Sequence, residues 1–185
     1  DLAEALDIER FSGRLNAILP HDISIQSIIR VADDVHARFS AIERSYEYQI
    51  TLKKNPFSEG LALYYFKPLN MAEMNKAAAL LLGKHDFAAF SKVKTDVNNF
   101  ICNLNRAEWV KEGDKLIFHI SANRFLRGMV RAIVGTLLEV GGGKLSVEAF
   151  QEIINSKDRK QAGMNAPPHG LFLTKVVYPE NIFQQ

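Results

Sequence analysis

The sequence predicts an α+β fold, a mostly antiparallel sheet with helices packed on one face. Strand-like segments follow one another across short turns, as antiparallel neighbours do. Helical segments come between groups of strands and not after every strand, which argues against a parallel α/β sheet. The 185 residues are 47% hydrophobic, enough to fill a real core. No Pro/Gly/Ser-rich linker, repeat or low-complexity tract divides the chain, so residues 1–185 read as a single domain.

The elements follow in order. Residues 7–20 place Phe11, Leu15, Ile18 and Leu19 at helical spacing and end at Pro20. In 22–31 the alternation of Ile23 and Ile25 predicts a strand. Residues 45–52 alternate more clearly: Tyr46, Tyr48, Ile50 and Leu52 share one face, Glu47, Gln49 and Thr51 the other. A helix is predicted over 70–84, with Asn70 as cap, Glu73 at the capping-box position and Gly83 at the exit. Residues 99–104 read as a strand, and 107–122 as a hairpin turning at Gly113-Asp114. The periodicity of 123–135 predicts a helix that continues to Gly141–Gly143. Residues 146–156 form a shorter helix capped by Ser146, and 171–179 a last strand.

Composition excludes several classes. The lone Cys102 allows no internal disulfide and fits a reducing, cytoplasmic setting. No apolar run reaches the length of a membrane span, and the opening "DLAEALDIER" is no signal peptide. A net charge of +2 is too mild to establish nucleic-acid binding by itself. None of the five histidines has a zinc-like partner at short spacing, so no metal is expected. Phosphate loop, dinucleotide fingerprint and nucleophile elbow are absent, and "EVGGGK" ends a helix instead of following a strand. The first residue is aspartate and not methionine, so the chain reads as a piece of something longer.

Within the predicted 123–135 helix, Arg124, Arg127, Gly128, Arg131 and Gly135 fall on one stripe. A solvated face accounts for the arginines alone. It does not account for the glycines, each of which costs roughly 1 kcal/mol relative to alanine in a helix. Bare backbone at Gly128 and Gly135 lets a segment or ligand approach, and guanidinium forks beside it suit phosphate or carboxylate. Both readings stay open on the stripe alone. In 36–50, Arg38 and Arg44 are interleaved with Phe39, Tyr46 and Tyr48, a mixture suited to RNA, where bases stack on rings and phosphates meet arginine. For Tyr48 a core position is the better reading. Tyr46, at the strand's mouth, reads equally as core or as substrate-facing.

Together these segments carry a pattern. "HARFSA", then "RSYEYQI", then "NRFLRGMVRAIVGTLLEVG" resembles the bacterial tRNA pseudouridine synthase A family. "LNAILPHDISI" (15–25), "LLGKHDFAAFSK" (81–92) and "APPHGLFLTKVVYP" (166–179) resemble other family segments in the same order. The resemblance implies the pseudouridine synthase fold and isomerisation of uridine to pseudouridine in the anticodon stem-loop of tRNA. It further implies a cytoplasmic homodimer with no cofactor. The family's catalytic aspartate lies in a Gly-Arg-Thr-Asp-Ala-Gly-Val-His element before the 15–25 segment, and the 185 residues contain no such element. This chain alone is therefore expected to be inactive. Lys94-Thr95-Asp96 echoes the element superficially, but it follows "HARFSA" and continues Val97-Asn98-Asn99.

Two roles come with the resemblance. Tyr46 matches the tyrosine that contacts the target base, and Arg131 the arginine that pairs with the catalytic aspartate. If Tyr46 faces substrate and Tyr48 the core, the strand end must twist or bulge, since simple alternation puts both on one side. Arg38, Arg44, Arg124 and Arg127 are candidates for backbone phosphates, which position RNA without specifying sequence. Two alternatives stand beside the enzyme: a non-catalytic RNA-binding module sharing the fold, and an interaction domain for a protein partner.

Overall fold

A computed structural model describes residues 7–92 and 99–183. The chain falls into two compact units, one made of 1–40 and 179–185, the other of 41–178.

In the first unit, helix α1 (Ile8–Ile18) is capped by Asp7, whose carboxylate accepts from the Arg10 amide at 3.1 Å. None of the unit's described residues is buried, and Phe11 and Ile18 stay exposed. The strand expected over 22–31 does not form. The Asn16 side chain donates to the Ile25 carbonyl (2.9 Å) and accepts from its amide (2.7 Å), doing for that backbone what a neighbouring strand would do. Only Val31 pairs, in an isolated antiparallel bridge with Phe183.

The second unit holds strands β1 (Glu43–Thr51), β2 (Leu63–Tyr64), β3 (Gly83–Asp86), β4 (Ile101–Glu112), β5 (Lys115–Ala122) and β6 (Leu171–Val177). It also holds helices α2 (Met71–Ala79), α3 (Met129–Gly141) and α4 (Val147–Ser156). The sheet order is β2-β1-β5-β4-β3, with β6 also on β1. All pairings are antiparallel except the short β1–β2 contact. This is the predicted α+β class. The three helices pack against one another and against the face carrying Tyr48, Ile50, Leu104, Trp109, Phe118 and Ile120, all buried.

Local chemistry explains the matches. Asn70 Oδ1 accepts from the Glu73 amide (3.2 Å) and Ser146 Oγ from the Ala149 amide (3.1 Å), as their cap positions require. Gly113 turns the β4–β5 hairpin with φ +59°. Three boundaries differ from expectation. α2 stops at Ala79, and Gly83 opens β3 instead of ending the helix. The segments 99–104 and 107–112 belong to one strand: the register slips between Leu104 and Arg106, so Asn105 is an extra residue absorbed as a bulge.

The third correction matters most. Residues 123–128 are not helical, so the stripe of Arg124, Arg127, Gly128, Arg131 and Gly135 does not exist on one helix. Asn123 is still held by β4: its amide donates to the Asn103 carbonyl (3.2 Å) and its side chain accepts from the Asn103 amide (2.8 Å). Gly128 then takes φ +79°, a left-handed conformation that no interior helical position has, and α3 starts after it. The apolar periodicity read straight through this turn.

Candidate active site

β1 sets two tyrosines on the helix face. Tyr46 stands opposite Ile120 of β5 and Leu173 of β6; Tyr48 stands opposite Phe118 and Leu171. Alternation therefore holds and both rings share a side. The register does shift between Ser45 and Tyr46, but the extra residue is Thr174 on β6, which leaves Tyr46 on the helix face. What separates the rings is position along the strand. Tyr48 is fully buried, whereas Tyr46 is half-buried and meets Phe125 edge to face at 5.1 Å.

α3 is buried along almost its whole circumference, the described exceptions being half-buried Arg131 and Glu139. Residues 163–167 cover the side that periodicity had assigned to ligand or solvent. An ideal Cβ on Gly135 would lie 1.7 Å from the Met164 carbonyl oxygen, so only glycine admits this segment. The Gly163 amide donates to Thr136 Oγ1 (3.0 Å) and the Ala166 amide to the Arg131 carbonyl (2.9 Å). Returning the contact, Arg131 Nε donates to the Ala166 carbonyl (2.6 Å), while the Tyr48 hydroxyl donates to the Pro167 carbonyl (2.9 Å). One short segment thus binds α3 and β1 and fixes both polar side chains.

Among the described residues, neither Nη of Arg131 has a hydrogen-bond partner, and no carboxylate lies within ion-pairing distance of it. The fork is held by one nitrogen and offers the other two, an arrangement suited to a bidentate carboxylate or phosphate. Burial pushes the Tyr48 phenol up to about 12, and the Arg131 charge beside it draws it back only in part. Tyr48 is therefore a neutral hydrogen-bond donor at neutral pH.

The other predicted residues are placed separately. Arg44 is half-buried; its Nη1 donates to the Ala41 (2.6 Å) and Asn123 (2.8 Å) carbonyls, bracing the start of β1 against the end of β5. Arg124 is half-buried and donates to Asn99 Oδ1 at 3.4 Å. Arg127 is exposed, and its carbonyl accepts from the Lys92 amide (3.0 Å). Arg38, in the first unit, is exposed with its guanidinium carbon 5.3 Å from the Phe39 ring centroid. Asp96 lies outside the described residues.

Sequence reasoning missed Ala166, Pro167 and Thr136. They act through backbone carbonyls and one helix hydroxyl, which leave no pattern of residue types. The signal that was available is glycine placement: Gly135, Gly163 and Gly170 each bring an ideal Cβ within 3.0 Å of a neighbouring segment.

Comparison with known proteins places the chain in a family. A family model described as tRNA pseudouridine synthase matches residues 77–179, which include α3, β6 and the segment between Gly163 and Pro167. A tRNA pseudouridine synthase A of Bacteroides fragilis is 48% identical over 182 residues, covering 98% of this chain and 72% of that protein. The Porphyromonas gingivalis protein of the same name is 50% identical over 172 residues, covering 92% and 68%. That of Bacillus subtilis is 38% identical over 180 residues, covering 96% and 73%. The chain belongs to the tRNA pseudouridine synthase family.

Proposed function

We propose that the chain supplies part of the active site of a tRNA pseudouridine synthase, which isomerises uridine to pseudouridine in the anticodon stem-loop. The observation that carries this reading is half-buried Arg131, held through Nε by the Ala166 carbonyl, with neither Nη hydrogen-bonded among the described residues. The reaction breaks the C1′–N1 glycosidic bond, turns the uracil and rejoins C1′ to C5; C5 releases its proton and N1 takes one up. A carboxylate must stay ionised, whether it attacks C1′, stabilises a cationic sugar or removes a proton. An adjacent guanidinium favours that state, typically lowering an aspartate pKa by roughly 1 to 3 units. The aspartate is the family's, in the Gly-Arg-Thr-Asp element that these 185 residues do not contain. Tyr46 holds the flipped base, whose extraction from a stem costs a few kcal/mol. Arg38, Arg44, Arg124 and Arg127 remain the candidates for phosphate contacts, with Arg44 the least available because carbonyls already occupy its Nη1. The enzyme works as a homodimer in the cytoplasm, without cofactor or metal.

The test is tritium release from tRNA carrying [5-³H]uridine. The full-length protein should release tritium from the anticodon stem-loop, and the 185-residue chain should release none. Binding of tRNA by the full-length protein without release would make it an RNA-binding module. Release by the 185-residue chain that is lost in Asp96→Asn would overturn the assignment of the missing aspartate.

A further inference from the structure

Arg159 lies three residues past Ser156, the end of α4, before the segment that holds Arg131. Its Nη1 donates to the carbonyls of Ala162 (3.1 Å) and Gly163 (3.0 Å), and its Nη2 to Asn165 Oδ1 (2.8 Å). Among the described residues no carboxylate lies within ion-pairing distance of it. Its hydrogen bonds therefore go to shaping its own loop. That loop has little freedom on its other side. Buried Gly163 is tied to Thr136, an ideal Cβ on it would meet Glu139 at 2.9 Å, and Met164 sits against Gly135. Two residues on, Ala166 supplies the carbonyl that orients the Arg131 fork.

We propose that Arg159 is a positioning residue for the reaction: it fixes the 162–166 loop so that Ala166 aims Arg131 at the reacting carboxylate. The inference rests on the proposed function for its link to catalysis, and on geometry alone for its link to Arg131. Asn165 and the two carbonyls are neutral acceptors, so the loop's shape depends on one guanidinium spanning all three. Displacement of a catalytic group by about 1 Å costs on the order of 100-fold in rate, which makes such bracing matter to turnover more than to substrate binding.

Two readouts test it. In the full-length protein, Arg159→Met should lower kcat about 10- to 100-fold on an unmodified tRNA transcript, with KM moved by less than about threefold. The acidic limb of its pH–rate profile should move to higher pH, because the carboxylate loses an aligned partner. Arg159→Lys, which keeps the charge but cannot span three acceptors, should recover part of the rate. Asn165→Ala removes only the Nη2 acceptor and should move kcat the same way by less; it serves also if Arg159→Met does not fold. In the 185-residue chain, the Arg131 Nε–H signal should exchange slowly in wild type and fast in both Arg159→Met and Asn165→Ala. Wild-type kcat, pH profile and Arg131 exchange in these variants would overturn the proposal. If wild-type full-length protein makes no pseudouridine, the proposed function fails, and Arg131 exchange alone decides whether Arg159 holds that fork.

Discussion

The Met164 carbonyl oxygen occupies the space in which a side chain on Gly135 would begin, 1.7 Å from the ideal Cβ position. That contact seats the segment 163–167 on α3 and sets the stage for the Arg131 and Tyr48 hydrogen bonds. Gly135→Ala must push the segment away. We predict a loss of about 1 to 3 kcal/mol or more, the usual cost of overpacking, read as a lowered melting temperature of the 185-residue chain. A shift of less than about 0.5 kcal/mol, typical of an unconstrained surface site, would mean that the segment is not seated there.

Tyr46 and Tyr48 share a face and differ in depth, so they should separate in two assays. Tyr48→Ala deletes a fully buried ring and should destabilise by about 3 kcal/mol or more. Tyr46→Ala should cost less, since its ring is half-buried against Phe125, yet should cut turnover of the full-length protein far more than its melting shift implies. Stability loss at Tyr46 with full activity would assign that ring to the core.

Alkaline pH should weaken the fold. Burial raises the Tyr48 phenol from 10.0 to about 12 and the Cys102 thiol from 9.0 to about 11. Both are acids whose neutral form the fold prefers. Their stabilising contribution is therefore complete below about pH 9 and is lost as pH rises from there towards 12, where the unfolded chain releases protons first. Melting temperature should fall over that range, and Cys102→Ala with Tyr48→Phe should flatten the fall. At pH 8, iodoacetamide should label Cys102 in unfolded chain much faster than in native chain. Equal rates would contradict the burial of Cys102.

How much of this was legible in the sequence depends on what each feature is made of. Helix caps at Asn70 and Ser146 and the turn at Gly113 are local chemistry, and they read correctly. The α+β class follows from the order of apolar patterns. The stripe of arginines was misread, because Leu126, Met129, Val130 and Ile133 are all buried and keep helical spacing across a turn that Gly128 makes left-handed. The strand at 22–31 was misread because one Asn16 amide satisfies the Ile25 backbone. Within the site, Tyr46 and Arg131 came from motif resemblance. Their supports, Ala166 and Pro167, act through backbone carbonyls that every residue type possesses, so no sequence pattern marks them.

The central claim is that Arg131 supports an ionised carboxylate, and a pH–rate profile of full-length wild type and Arg131→Met on one tRNA substrate tests it most directly. Removing the guanidinium leaves that carboxylate without its partner, and breaking a buried ion pair typically costs about 3 to 5 kcal/mol. The rate should fall by roughly two to four powers of ten, at about 1.36 kcal/mol for each. The acidic limb should move to higher pH as the carboxylate pKa rises, and Arg131→Lys should restore only part of the rate. An unchanged rate with an unchanged acidic limb would contradict the account and leave Arg131 as a prop for Ala166 alone.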